Sequence, residues 1–337
     1  LAVSAGNHAQ GVAWAAKHFG LNATIIMPEA SPLTKIRNTE LLGAEVILHG
    51  KNIEEGFLFA QELMKKKKMV FVHPFYDPDV IAGQGSVAFE IFNQIDDVDF
   101  LFSSIGGGGL VSGIGQVVKG LGKKTKIMAG QSIGYSGMVQ SLGSQKILNI
   151  TPQMDTFADG IKVRKVEPEM FQSLNSVIDT VGQVSDDKMA WAILQLMEKA
   201  RIISEGAGAL PLAFLDDLYQ KNPEKFHHKK IVLVICGGNI DVNLLERIID
   251  TGLVESRRKV KISVPIEDRP GLLHHLTGVI KDLGCNILHV VHERGRVGNG
   301  IKGTDVIFTL ETKGPSHMDE VLKEIKKDFP QALLINN

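Results

Sequence analysis

Between residues 1 and 252 the sequence keeps changing its hydrophobic period. Short apolar runs at 23–27, 45–48, 69–73, 100–104, 125–131 and 231–235 read as strands. Longer patterned stretches at 9–19, 33–42, 52–68, 81–95, 110–121, 188–201, 209–219 and 242–249 read as helices. The run at 231–236, IVLVIC, has no polar face and suits a strand buried on both sides. Strands that alternate with helices over this length predict an α/β fold, parallel sheets with helices on both faces.

The pattern breaks near Gly252. A charged connector follows, ending in Arg257, Arg258 and Lys259. Beyond it come a strand at 260–264, a helix from Pro270 and Gly271 to 283, a strand at 286–292, and a Gly-rich turn at 295–303. Strand 305–310, helix 318–329 and strand 332–335 finish the chain. That is the β-α-β-β-α-β order of a small ferredoxin-like α+β unit. With 337 residues and domains of about 100–200 residues, the expected division is 1–252, a linker at 253–259, and 260–337.

A net charge of −1 predicts no nucleic-acid or membrane-surface partner. No apolar run approaches the roughly 18–20 residues of a membrane span. Cys236 and Cys285 are far apart, offer no disulfide framework, and point to a reducing cytoplasm. The chain opens inside an apolar run without Met, which reads as a fragment or a processed chain.

Four stretches carry chemistry. The opening LAVSAGNHAQGV runs from a strand end through Ser4, Ala5, Gly6, Asn7 and His8 into an Ala-rich helix, a ready anion site. Its plain alternative is a turn capped by Ser4 or Asn7. Gly106, Gly107, Gly108 and Gly109 stand between a strand and a helix, where unobstructed N–H groups can cradle a phosphate. The dinucleotide frame G-x-G-x-x-G fails there, because it meets Val111, Ser112 or Leu110. The P-loop frame fails because Lys123 is followed by Lys124. One phosphate therefore suits the loop better than a pyrophosphate. Glu205, in SEGAGAL, reads as a carboxylate at a helix N-terminus or as a ligand for a monovalent or divalent cation. Cys236, in CGGN, ends a buried strand, where open α/β sheets bind ligands. His289 with His292, and His274 with His275, fall on different faces and predict no zinc site.

SAGNHAQG, GGGGL, ADG at 158–160, SEGAGA and CGGN, in this order, resemble the threonine/serine dehydratase group of fold-type II pyridoxal-phosphate (PLP) enzymes. Asp268-Arg269-Pro270-Gly271 and the unit behind it resemble an ACT regulatory domain. The combination is similar to threonine ammonia-lyases with one C-terminal ACT-like domain. The resemblance implies that Ser4, Ala5, Gly6, Asn7 and His8 hold the substrate carboxylate, with Asn7 at the cofactor's ring hydroxyl. It implies that Gly106, Gly107, Gly108, Gly109 and the Leu110 N–H bind the PLP phosphate, that Gly160 passes beside the cofactor, and that Cys236 faces the pyridine nitrogen. It further implies deamination of L-threonine to 2-oxobutanoate, serine as a side substrate, and a homo-oligomer, dimer or tetramer. Asp268 and Gly271 become candidates for an amino-acid effector site, with isoleucine or valine as ligand.

One family element is missing. The Schiff-base lysine is expected in a Ser-x-Lys-x-Arg-Gly motif ahead of SAGNH, and no such motif occurs. Lys35 offers only Lys-x-Arg, after SAGNH, in a helix patterned like a surface helix. The expectation is an N-terminally truncated chain, inactive as it stands. Two other readings share these residues: a serine dehydratase or racemase on the same scaffold, and a non-catalytic amino-acid-binding regulator if the natural chain lacks that lysine.

Overall fold

A computed structural model describes residues 1–152, 154–294 and 303–335. The chain enters through β1 (Ala2–Val3) and α1 (Asn7–His18). It continues through β2 (Thr24–Met27), α2 (Leu33–Leu41), β3 (Glu45–Leu48) and α3 (Ile53–Lys67). The three strands form one parallel sheet in the order β1-β2-β3. Ala2, Ile25 and Met27 feed a core on one side, and Val3 and Ile26 feed one on the other. This is the small lobe.

A larger lobe follows. It contains α4 (Pro78–Gln84), α5 (Ser86–Gln94), β4 (Phe100–Ser104), α6 (Gly109–Gly120), β5 (Lys126–Ser132), α7 (Gly137–Ser144) and α8 (Pro168–Val177). Then come β6 (Thr180–Val184), α9 (Asp186–Gln195), α10 (Gly206–Lys221), β7 (Ile231–Leu233) and α11 (Val242–Glu255). Its sheet is parallel, in the order β6-β5-β4-β7. β4 sits inside the sheet and is buried throughout. The strand period of two sends Phe100 and Phe102 into a core with Leu210 and Phe214. It sends Leu101 into another with Ile114 and Leu174. Helices therefore cover both faces of this sheet, as the alternating pattern predicts.

The last unit contains β8 (Lys259–Glu267), α12 (Leu272–Asp282), β9 (Asn286–Arg294), β10 (Gly303–Glu311), α13 (Pro315–Asp328) and β11 (Leu333–Ile335). Its antiparallel sheet has the order β11-β8-β10-β9, with Ile262, Val264, Phe308 and Leu310 packed under Leu276, Ile280, Val321 and Ile325. The predicted turn at 295–303 lies outside the described residues up to 302.

Several local expectations change. Residues 69–73 are not a ladder strand. They run extended beside Leu1, which donates to Val70 O at 2.9 Å and accepts from Val72 N at 2.9 Å. The helix expected at 81–95 breaks into α4 and α5 at Gly85. There α6 approaches so closely that a Cβ on Gly113 would stand 2.3 Å from Ile81 O. The helix expected at 188–201 ends in a π turn, Leu196–Ala200, closed by Arg201 at φ 60°. Between 132 and 187, where the periodicity predicts no element, lie α7, α8 and β6. Among the described residues no helix is long and apolar enough to cross a membrane.

Candidate active site

The opening loop is fixed to the small lobe by its own main chain. Ser4 N donates to Ile26 O at 3.1 Å, and Gly6 N donates to Ser4 Oγ at 3.1 Å. α1 starts behind it with no acidic residue in its first turn and no side-chain cap. The helix's first N–H groups lack intrahelical partners, so this end is electropositive and open to a carboxylate. The His8 side chain is engaged elsewhere. Its Nε2 lies 2.9 Å from Val72 O. A carbonyl only accepts, so the ring proton sits on Nε2. Burial pushes the imidazole below its ordinary range.

Across the cleft, β4 delivers the glycine loop to the start of α6. Ile105 N donates to Gly130 O at 2.7 Å, and Ser112 N to Gly108 O at 2.9 Å. The earlier N–H groups of that first turn have no intrahelical acceptor. Gly108 has φ +98°, which side chains rarely tolerate. A Cβ on Gly106 would stand 2.7 Å from Gly160 O, and one on Gly109 would stand 2.9 Å from Phe75 O. The loop is therefore built by close backbone approach, and no acidic residue occupies α6's first turn. The residues fit a phosphate group.

Glu205 is where the motifs meet. Its N–H donates to Gly237 O at 2.9 Å, and its Oε1 accepts from Asn7 Nδ2 at 2.8 Å. A Cβ on Gly237, which has φ +80°, would stand 2.2 Å from the same Oε1, and one on Gly160 would stand 3.3 Å from it. Behind it, a Cβ on Gly208 would stand 1.7 Å from Cys236 O, so the SEGAGA and CGGN segments touch backbone to backbone. Burial pushes the Glu205 carboxyl up, opposed by the Asn7 hydrogen bond. Cys236, just beyond β7, is a free, solvent-accessible thiol. Desolvation, and then the Glu205 charge, push its thiol up, so it stays protonated at neutral pH. A neutral thiol suits a ring nitrogen that is hydrogen-bonded without being held protonated.

The structure thus links the predicted segments by close approach: Asn7 to Glu205, Gly106 to Gly160, Gly160 and Gly237 to Glu205, and Gly208 to Cys236. The group that faces the Glu205 carboxylate is the Asn7 amide, a donor. Among the described residues no group of three or more His, Cys, Asp or Glu could hold a metal. Asp268 and Gly271 lie in the last unit. Gly271 caps α12 at φ +95°, and Asp268 Oδ1 stands 4.0 Å from His292 Nε2.

Three contributors do not show in the sequence: Phe75, His73 and Lys35. Phe75 stands over Gly107, its ring 2.0 Å from where a Cβ would be. His73 builds that turn, with Nδ1 accepting from Tyr76 N at 2.8 Å and from Phe75 N at 3.3 Å. Lys35, read as a surface residue, has a side chain only 12% exposed, and its Nζ lies 2.8 Å from Asp159 Oδ2. No local pattern signals either contact, since Lys35 and Asp159 are 124 residues apart.

The pyridoxal-phosphate dependent enzyme family matches residues 1–237, and the ACT domain family matches residues 261–329. The L-threonine ammonia-lyase of Thermotoga maritima is 42% identical over 322 residues, covering 95% of this chain and 79% of that protein. Processed threonine deaminase isoform 2 from Solanum lycopersicum superposes with a TM-score of 0.70 at 34% identity, over 74% of this chain and 68% of that one. Maize serine racemase superposes with a TM-score of 0.68 at 28% identity, over 76% of this chain and 78% of that one. The chain belongs to the threonine ammonia-lyase group of the pyridoxal-phosphate dependent enzyme family, with an ACT domain at its C-terminal side.

Proposed function

We propose that the cleft carries out PLP-dependent deamination of L-threonine to 2-oxobutanoate and ammonia, with L-serine giving pyruvate as a side reaction. The observation that carries this reading is the Asn7–Glu205 bond, which closes the SAGNH loop onto the large lobe beside Gly160, Gly237 and Cys236. Bound there, pyridoxal phosphate supplies the electron sink that weakens the amino acid's Cα–H bond. The N–H groups of 106–110 hold its phosphate. The start of α1 holds the substrate carboxylate. Asn7 orients the cofactor's ring hydroxyl. Cys236, a neutral thiol, hydrogen-bonds to the ring nitrogen without fixing a proton there. With its ring nitrogen left unprotonated in this way, the bound cofactor would be a weaker electron sink, which would favour elimination over reprotonation. Glu205 keeps Asn7 in place and, with Gly160, walls the cleft.

We further assign 1–252 to the catalytic unit and 260–337 to the regulatory unit; of the linker expected at 253–259, residues 253–255 continue α11 and Lys259 opens β8, so the connector narrows to 256–258. The effector is taken to be an amino acid such as isoleucine or valine, its carboxylate approaching the α12 N-terminus past Gly271, with Asp268 beside it. Exposed Leu288, Val290 and Val291 on β9 suit a homo-oligomer, dimer or tetramer, and two free thiols suit the cytoplasm. Light scattering measures the first, and titration calorimetry with isoleucine and valine tests the effector.

The main test is steady-state turnover of the natural full-length enzyme. A higher kcat/KM for L-threonine than for L-serine, with no D-serine formed, supports the reading. Preferred serine turnover or net racemisation overturns it in favour of a serine dehydratase or a racemase. Natural full-length protein that binds amino acids but turns over neither substrate would point to the regulator reading.

A further inference from the structure

Lys35 sits on α2, in the small lobe, yet its ammonium crosses the cleft. Its Nζ meets Asp159 Oδ2 at 2.8 Å, while Lys162 Nζ takes the other oxygen, Oδ1, at 3.3 Å. Lys162 is itself held by Asp155, 3.0 Å from Oδ1. Burial pushes the Asp159 carboxyl up, but the hydrogen bonds and charges of Lys35 and Lys162 outweigh it and hold the group below its ordinary range.

The next residue, Gly160, gives the contact its meaning. Gly160 is wedged between the two halves of the site: its carbonyl stands 2.7 Å from where a Cβ on Gly106 would be. A Cβ of its own would meet Ala207 Cβ at 3.2 Å and Glu205 Oε1 at 3.3 Å. The Lys35 charge also acts directly on Glu205, favouring the carboxylate. One cation from the small lobe thus bears on the chain segment that touches both the glycine loop and Glu205.

We propose that Lys35 is a positioning residue of this site: by pairing with Asp159 across the cleft it seats the Asp159–Gly160 segment against Gly106 and Glu205. The proposal rests on reading the cleft as the reaction site. Stability alone does not account for the pair. The Lys35 side chain is 12% exposed but that of Asp159 is 61% exposed, and an ion pair with one end in solvent contributes little to folding. Misplacing a catalytic wall by about 1 Å, in contrast, costs on the order of 100-fold in rate. A positioning role therefore predicts a large kinetic effect with a small effect on melting.

The test uses the natural full-length holoenzyme and its K35Q, K35R, D159N and K35Q/D159N variants. Three quantities are read: melting temperature, PLP affinity by fluorescence titration, and kcat and KM for L-threonine. K35Q should lower kcat/KM by about 10- to 100-fold and weaken PLP binding by about tenfold, while Tm moves by no more than about 2 °C. K35R should restore most of the loss, and the double variant should be no worse than the more damaging single one, because both remove one contact. Wild-type kinetics and PLP affinity in K35Q, or losses that simply add in the double variant, overturn the proposal. If the wild type itself does not turn over threonine, the functional reading fails. The PLP-affinity arm then still decides the role of Lys35.

Discussion

The two walls of the cleft are built on different principles. The large-lobe wall is made of backbone. Cβ atoms on Gly106, Gly109, Gly113 or Gly208 would stand between 1.7 and 2.9 Å from a main-chain carbonyl oxygen. The small-lobe wall is made of loosely surrounded chain and reaching side chains. Cβ atoms on Gly6 or Gly11 would meet nothing within 4 Å. Its links to the other wall are the Asn7 amide and the Lys35 ammonium. One wall is a fixed mould, and the other is a seat held by a few polar contacts. A cofactor phosphate needs the first, since its cradle is a set of N–H groups at fixed spacing. A substrate that enters and leaves suits the second.

The comparison can be broken by single methyl groups. Gly208→Ala should have the largest effect. Its new Cβ would meet the Cys236 carbonyl, which has no flexible end to give way, so a loss of about 3 kcal/mol or more is expected. Thermal melting reads it, and a Tm within a degree of wild type contradicts the mould.

Asn7→Ala comes next. It leaves the half-buried Glu205 carboxylate without its side-chain donor, and a hydrogen bond to a charged group is worth about 1.5–3 kcal/mol. Roughly 10- to 100-fold should be lost from kcat/KM in the full-length enzyme, with Asn7→Asp worse because it sets two carboxylates together.

Third is the effect of acid. His8 and His73 are both held below the ordinary imidazole value of 6.5, in each case chiefly by burial. Between the lowered native values and 6.5 the unfolded chain binds more protons, so stability falls as pH drops below 6.5 and levels off beneath the native values. His8→Gln should flatten part of that slope in denaturant melts at pH 7 and pH 5. An unchanged slope removes His8 from the account.

Gly11→Ala should be the mildest. It lies inside α1 with open space at its Cα, so the change should raise stability by about 0.4–1 kcal/mol. A marked loss would show that the small lobe is as tightly moulded as the large one.

The legibility of the sequence divides along the same line. The glycine loop, SEGAGA and CGGN announce themselves because backbone approach demands small residues in a row. The parallel layers follow from buried apolar runs such as 100–104. β6 did not show itself, because TVGQV is half-exposed and carries Gly182, whose missing side chain is filled by the Phe214 ring, 2.1 Å from where a Cβ would be. Asn7 reaching Glu205 spans 198 residues of sequence. Lys35 sits in a polar helix that reads as surface, because nothing nearby in sequence reveals the carboxylate waiting across the cleft. Contacts made by side chains between lobes leave no periodic trace, whereas contacts made by backbone leave glycines.

If the large-lobe mould at 106–110 is the phosphate seat of a pyridoxal-phosphate site, affinity there should depend on the phosphate. The most direct test compares binding of pyridoxal 5′-phosphate and of pyridoxal, by fluorescence titration, to the natural full-length protein and to its Gly109→Ala variant. The phosphorylated form should bind the wild type at least about 100-fold more tightly, and Gly109→Ala should erase most of that preference. Equal affinity for the two vitamers in the wild type, or an undiminished preference in the variant, would contradict the account.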